Sequence, residues 1–167
     1  MWYIIGQCFG VVAIVLGFVS YQMRTQKQIL FVQSATAVAF GVHYLLIGAY
    51  AGVALNVFNI IRNIIYHHRN ERGKNGLLAP ILCTAISCTL GILTAEAWYA
   101  VFIILGVGIN TFCMSFKDPQ KVRASILVTS PLVFAYDVFA LAYGGMIYES
   151  VAWVSAGIGF FRNRKKK

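Results

Sequence analysis

Residues 41–63, GVHYLLIGAYAGVALNVFNIIRN, set His43, Asn56, Asn59 and the pair Arg62-Asn63 into sequence that is otherwise apolar enough for a lipid bilayer. The run breaks at Gly48-Ala49-Tyr50 into two stretches of helical length. Polar side chains are costly in hydrocarbon, so those found there either line a path or tie helices together. An echo follows from Tyr136 to Asn163: again a polar residue, a small-aromatic-glycine turn, and a helix closing on Arg-Asn.

Outward from this pair the chain divides into seven apolar segments, about 2–22, 29–47, 50–66, 77–94, 97–116, 124–143 and 146–161. Each approaches the ~17–25 residues with which a helix crosses ~30 Å of hydrocarbon. The narrowest cut is Thr94-Ala95-Glu96-Ala97, and a chain joined across it has six helices. Charge decides between the two counts, because Lys and Arg collect on the cytoplasmic side of a membrane protein. With seven helices all 14 Lys and Arg fall on one side: Arg24 and Lys27, then Arg62, Arg69, Arg72 and Lys74, then Lys117, Lys121 and Arg123, then the tail RNRKKK. The opposite loops carry Glu96 and the aromatic residues Trp2, Tyr3, Tyr50, Trp98 and Tyr148, which suit an interfacial belt. The expectation is an all-α membrane protein with seven transmembrane helices, N-terminus outside and C-terminus inside.

Composition agrees. The chain is 59% hydrophobic and 11% charged, with a mean hydropathy of +0.73, which excludes an ordinary soluble globule. The net charge of +9 is spread in short clusters between apolar runs, not on a basic face, so no nucleic-acid partner is expected. The run before Arg24 has no basic region ahead of it and spanning length, so it reads as a retained first helix and not a cleaved signal.

The echo extends to an internal repeat. Ser20 to Lys27 is similar to Ser115 to Lys121, and Thr36, His43 and Ala49-Tyr50 match Thr129, Tyr136 and Ala142-Tyr143 at one constant offset. Arg62-Asn63 matches Arg162-Asn163 if the second copy carries a short insertion. The layout is two parallel triple-helix repeats, 1–66 and 95–167, joined by a basic loop and linker helix over 67–94. The linker restores the starting side, so both repeats run the same way.

Candidate site residues are the polar groups within the spans. Asp137 is an acid inside helix six, with Ser130 one heptad earlier on its face. It either works or pairs with a neighbouring helix. His43 aligns with Tyr136 across the repeat, and a His–Asp relay or a hydrogen-bonded strut would both account for it. Asn56, Asn59 and Asn63 share a helix face, as lining or as glue. Trp153 lies deeper than a belt Trp and either stacks on a ligand or fills the core, while Glu149 on its face is near enough to the surface to be solvated. Arg62 and Arg162 read first as snorkelling anchors and second as anion ligands. Gly6 and Gly10, Gly106 and Gly108, and Gly157 and Gly159 permit close helix contact. Pro80 and Pro131 are candidates for kinks. His67-His68 reads as solvated.

Other chemistries find no support. Cys8, Cys83, Cys88 and Cys113 lie in apolar runs without metal spacing, so neither metal nor cofactor is expected. Walker, nucleophile-elbow and His-Glu-x-x-His motifs do not occur, so no enzyme is expected.

Across most of its length the chain resembles the YgjV family of small bacterial inner membrane proteins. The resemblance is carried by Gly6-Gln7, Gly10-Val11 and Ala13, by Gly41-Val42-His43 with Gly48 and Gly52, by Asn59 to Arg62, and by Gly144-Gly145, Glu149, Gly157 and Arg162. It implies an inner-membrane location. The three-one-three layout also resembles the SWEET and PQ-loop transporters, with Pro119-Gln120 where their Pro-Gln dipeptide stands; the first repeat has Thr25-Gln26 instead, and no proline in helix one. By position, Asn56 or Asn59 and Trp153 resemble the pocket-lining residues of those transporters.

The expected function is a carrier or facilitator of a small polar solute, working by alternating access between the repeats. Its expected site is His43, Asn56, Asn59, Tyr136, Asp137 and Trp153. A non-transporting sensor or assembly protein on the same fold is the alternative, and homo-oligomerisation is left open.

Overall fold

The computed structural model describes residues 2–46, 50–73, 76–93, 95, 97–140 and 143–164. Gly48, Ala49, Lys74, Thr94, Glu96, Ala142 and the three final lysines lie outside the described residues, as do the side chains of Trp2, Tyr3, Gln7, Tyr50 and Tyr143. Seven helices are described and no strand: α1 (Trp2–Gln22), α2 (Gln26–Leu46), α3 (Tyr50–Glu71), α4 (Leu78–Leu93), α5 (Ala100–Cys113), α6 (Pro119–Phe139) and α7 (Tyr143–Arg164).

Helix ends follow from local chemistry. Thr25 and Gln28 exchange backbone-to-side-chain hydrogen bonds of 3.3 Å each, a capping box that starts α2 at Gln26. Asp118 accepts from the Gln120 N–H at 2.9 Å with Pro119 in the first turn, so α6 starts at Pro119. The polar first turns therefore belong to the helices, which begin a few residues before their apolar segments. Gly73, at φ 66°, ends α3 in the left-handed conformation that costs glycine least. Pro80 is the third residue of α4, where no intrahelical N–H bond is lost, so the kink expected there is absent.

The surface is apolar and the interior is not. Val11, Phe31, Leu78, Leu93 and Phe161 are among many exposed large hydrophobic residues. Inside, Ser20, Thr36, Arg62, Asn63, Thr111, Arg123, Asp137 and Ser155 are buried. A water-soluble core sorts the other way, whereas a bilayer solvates this outside and leaves polar groups to bond one another within. By themselves α2 and α6 have the length and hydropathy to cross a membrane; α4 and α5 are apolar but shorter.

α1 packs on α2 and α7, α2 on α3, α5 on α6, and α6 on α7, while α4 lies on α5 and only grazes α3. The starts of α2 and α6 are 93 residues apart, as are those of α3 and α7, and the members of each pair are equal in length. At this spacing Arg162-Asn163 falls on Arg69-Asn70, seven residues beyond the expected match at Arg62-Asn63. Contacts repeat at the same spacing. Arg69 donates to the Ser115 carbonyl at 3.3 Å, and Arg162 to the Gln22 carbonyl at 3.0 Å. Arg62 donates to the Thr111 hydroxyl at 3.2 Å, and Ser155 to the Phe18 carbonyl at 2.6 Å. Buried Ile29 and Val122, also 93 apart, fall in one apolar cluster with Leu30, Tyr66, Cys83 and Met114.

The closest approach of helices is at Gly159 of α7, where a Cβ would strike the Tyr21 carbonyl and come 2.9 Å from Arg123 Nε. Arg123 donates from Nε to the Tyr21 carbonyl at 2.9 Å and from its terminal nitrogen to the Met23 carbonyl. Overpacking at such a junction costs about 1–3 kcal/mol. Gly159→Ala is expected to lower the melting temperature of the detergent-purified protein, whereas Gly144→Ala, with open space around it, leaves it unchanged. Equal shifts in the two variants would contradict this packing.

Candidate functional site

Asp137 is the expected site residue with the strongest claim. It is 6% exposed, on the face of α6 turned to α7, and its carboxylate lies over Gly145, where a Cβ would stand 2.5 Å from both oxygens. Its Oδ2 has no hydrogen-bond partner among the described residues. Tyr44 of α2 and Glu149 of α7 lie within its electrostatic reach. Glu149 is half-buried and lines a groove with Ser130, and so is not the solvated surface acid expected.

From these acids a polar interior runs toward the end of the bundle that carries the basic residues. Tyr21, Ser20, Ser155 and Arg62 are buried along it, and Tyr148 packs beside them. Gln33 donates to the Tyr21 hydroxyl at 2.8 Å and to the Ser20 hydroxyl at 3.1 Å. Gln22 donates to the Ser155 hydroxyl at 2.9 Å. Tyr148 is thus interior and not part of the interfacial belt; its ring fills the space over Gly17 and meets Phe40 edge-on. Arg62 is 5% exposed, near the middle of α3, and is not a snorkelling anchor. Arg162 is exposed.

The other expected residues lie on α2, α3, α6 and α7. His43 Nδ1 is 2.8 Å from the Gly6 carbonyl, and since a carbonyl only accepts, that nitrogen carries the hydrogen. The ring rests on Gly10. Tyr136, the matching residue 93 positions on, packs against Tyr99, which matches Gly6 in turn. His43 thus ties α2 to α1, and Tyr136 ties α6 to the residue that caps the start of α5. Asn56 faces Gly41 of α2, and Asn59 is half-buried on the same helix.

Trp153 has a structural employment that its residue type did not announce. Pro131, inside α6, has no N–H to give the Leu127 carbonyl one turn back. Trp153 Nε1 donates to that carbonyl at 3.1 Å, crossing from α7. Its ring is half exposed and, with Ser130, Pro131, Phe134, Glu149 and Val154, lines a groove of about 310 Å³ between α6 and α7. A second groove, of about 220 Å³, lies between α2 and α3 at the basic end, with Ser34 and Asn63 in its lining and Lys27 and His67 beside it. His67 is not free in solvent, since it and Lys27 hold Glu71 at 3.3 and 3.0 Å. Among the described residues no group of His, Cys, Asp and Glu has the arrangement of a metal site.

The Pro131–Trp153 relation is testable as a double-mutant cycle. Trp153→Phe leaves the Leu127 carbonyl without a donor, at a cost of about 1 kcal/mol beyond that of the lost contacts. In a Pro131→Ala background the alanine N–H takes that carbonyl, so the same substitution is expected to cost less. A cost identical in both backgrounds would mean the indole bond does not serve the proline gap.

No curated protein and no solved structure matches this chain. A sequence family does: the Imp-YgjV family, described as a bacterial inner membrane protein, matches residues 4–167. The apolar exterior, the buried polar interior and this match over nearly the whole chain agree, and the chain belongs to the Imp-YgjV family of bacterial inner membrane proteins.

Proposed function

We propose that this inner membrane protein is a seven-span carrier or facilitator of a small polar solute. In this reading two parallel triplets, α1 to α3 and α5 to α7, are related by an internal two-fold, and α4 serves as linker. The single observation that carries it is the buried polar interior, which holds Ser20, Thr36, Arg62, Asp137 and Ser155. Such groups are retained in a membrane interior at a cost in stability, and a Asp137 oxygen without a partner is the plainest case. The repeated 93-residue spacing of helices and hydrogen bonds supports the two-fold. The gathering of basic residues supports N-terminus out and C-terminus in.

Alternating access then consists of rocking one triplet against the other. At the basic end the cluster of Ile29, Leu30, Tyr66, Met114 and Val122 is closed and has to part for release to that side. The acids lie beyond it, so the conformation described here reads as shut toward the cytoplasm. His43, Tyr136 and Trp153 support the moving parts without touching the solute. That these three are satisfied within the fold also favours the second reading, a non-transporting sensor or assembly protein on the same scaffold.

Uptake into proteoliposomes of a panel of sugars, amino acids, nucleosides and organic anions tests the proposal. Asp137→Asn is expected to cut uptake tenfold or more while moving the melting temperature by less than about 4 °C, the equivalent of ~1 kcal/mol in a chain this size. Absence of uptake for every member of the panel would remove the carrier reading and leave the sensor.

A further inference from the structure

Among the described residues no carboxylate pairs with a buried arginine. Arg123, Arg69 and Arg162 all donate to backbone carbonyls at or just beyond the C-terminal ends of α1 and α5, where the helix dipole supplies partial negative charge. Arg62 has no such partner. It sits in mid-helix, and its hydrogen bonds run to neutral side chains: Nε and one terminal nitrogen to Asn63 Oδ1 at 3.3 and 3.1 Å, the other to the Thr111 hydroxyl at 3.2 Å. Every described carboxylate is engaged or placed elsewhere. Glu71 is held by Lys27 and His67, Asp118 caps α6, Glu149 lines the groove between α6 and α7, and Asp137 lies over Gly145. The fifth, Glu96, lies outside the described residues.

A buried guanidinium without a counter-ion costs stability, and a fold that only needed the Thr111 bond had a cheaper solution, since the matching position 93 residues on is Ser155. The two triplets agree where they cap each other, with Arg69 and Arg162, and at Thr36 and Thr129; they diverge at Arg62 against Ser155. We propose that Arg62 is the binding centre for a small anionic solute, a carboxylate or a phosphate, reached from the groove between α2 and α3. The counter-charge missing from the protein is then the ligand's. Asn63 is the partition between groove and guanidinium: it lines the groove, donates to the Ser34 hydroxyl at 3.2 Å, and accepts from Arg62 on its other side. The groove is otherwise lined by Leu30, Phe31, Ile60 and Ile64, with Lys27 and His67 held on Glu71 at its edge, and the planar fork of Arg62 suits two oxygens of one carboxylate or phosphate. The proposal rests on the carrier reading for how the anion travels, and on the surroundings of Arg62 for how it binds.

The experiment follows thermal unfolding of the full-length protein in neutral detergent with inorganic phosphate, sulfate, succinate and citrate, chloride holding the ionic strength constant. At least one of these is expected to raise the melting temperature at millimolar concentration. Arg162→Gln should respond like wild type, Arg62→Lys should need about tenfold more anion because the bidentate fork is lost, and Arg62→Gln should not respond. A wild type indifferent to all four anions, or a response unchanged in Arg62→Gln, overturns the proposal; if Arg62→Gln does not fold, an unchanged response in Arg62→Lys does so. Stabilisation by phosphatidylglycerol with none by the soluble anions also overturns it, by assigning the charge to a lipid headgroup. Uptake separates the two readings: a neutral solute carried equally by Arg62→Gln leaves the carrier and overturns the anion site. An Arg62-dependent stabilisation without any uptake leaves the anion site and removes the carrier.

Discussion

A helix ends with carbonyls that have no intrahelical donor, and within or beside a bilayer water is not reliably there to supply one. The ends of α1 and α5 meet this constraint by exchange. The carbonyls closing α5, at Thr111, Met114 and Ser115, accept from Tyr66, Gln26 and Arg69 of α2 and α3. Those closing α1, at Tyr21, Gln22 and Met23, accept from Arg123 and Arg162 of α6 and α7. Thus α2 and α3 finish α5, and α6 and α7 finish α1. The junction also fixes Gly159, against which Arg123 and the Tyr21 carbonyl leave no room for a side chain.

Around this exchange the polar interior divides into two kinds of residue. Some serve the backbone: Trp153 fills the gap that Pro131 opens, and Ser155 bonds the Phe18 carbonyl. Others have no structural debt to discharge, namely Asp137 with its unpartnered oxygen and Arg62 among neutral neighbours. Positions 93 apart match at Arg69 and Arg162 and at Thr36 and Thr129, whereas Tyr44 stands against Asp137, Asn56 against Glu149 and Arg62 against Ser155.

Much of the helix layout was legible from apolar length and from the distribution of Lys and Arg, since both are set by the membrane and not by tertiary detail. The ends were less so, because Gln26 to Gln28 and Pro119 to Arg123 look like loop until their caps are considered. The register of the echo was misread at its far end: two Arg-Asn pairs occur in α3, and only the equal helix lengths show that Arg69-Asn70 is the match. Tyr148 was assigned to the interface because it lies near a helix start, yet Tyr148, Ala152, Ser155, Ala156 and Gly159 recur at helical spacing as the packed face of α7. Asp137 could be found from its charge alone. The tie of Trp153 to Pro131 could not, because the two lie on different helices and only packing brings the indole to the open carbonyl.

The reciprocal capping is tested most directly by cross-linking in a cysteine-free background, with cysteine pairs at positions 69 and 115 and at positions 162 and 22, treated in native membranes with a short bifunctional thiol reagent. The account predicts that both pairs cross-link within one chain. Cross-linking of one pair without the other, or of neither, would contradict a fold in which each triplet completes the first helix of its counterpart.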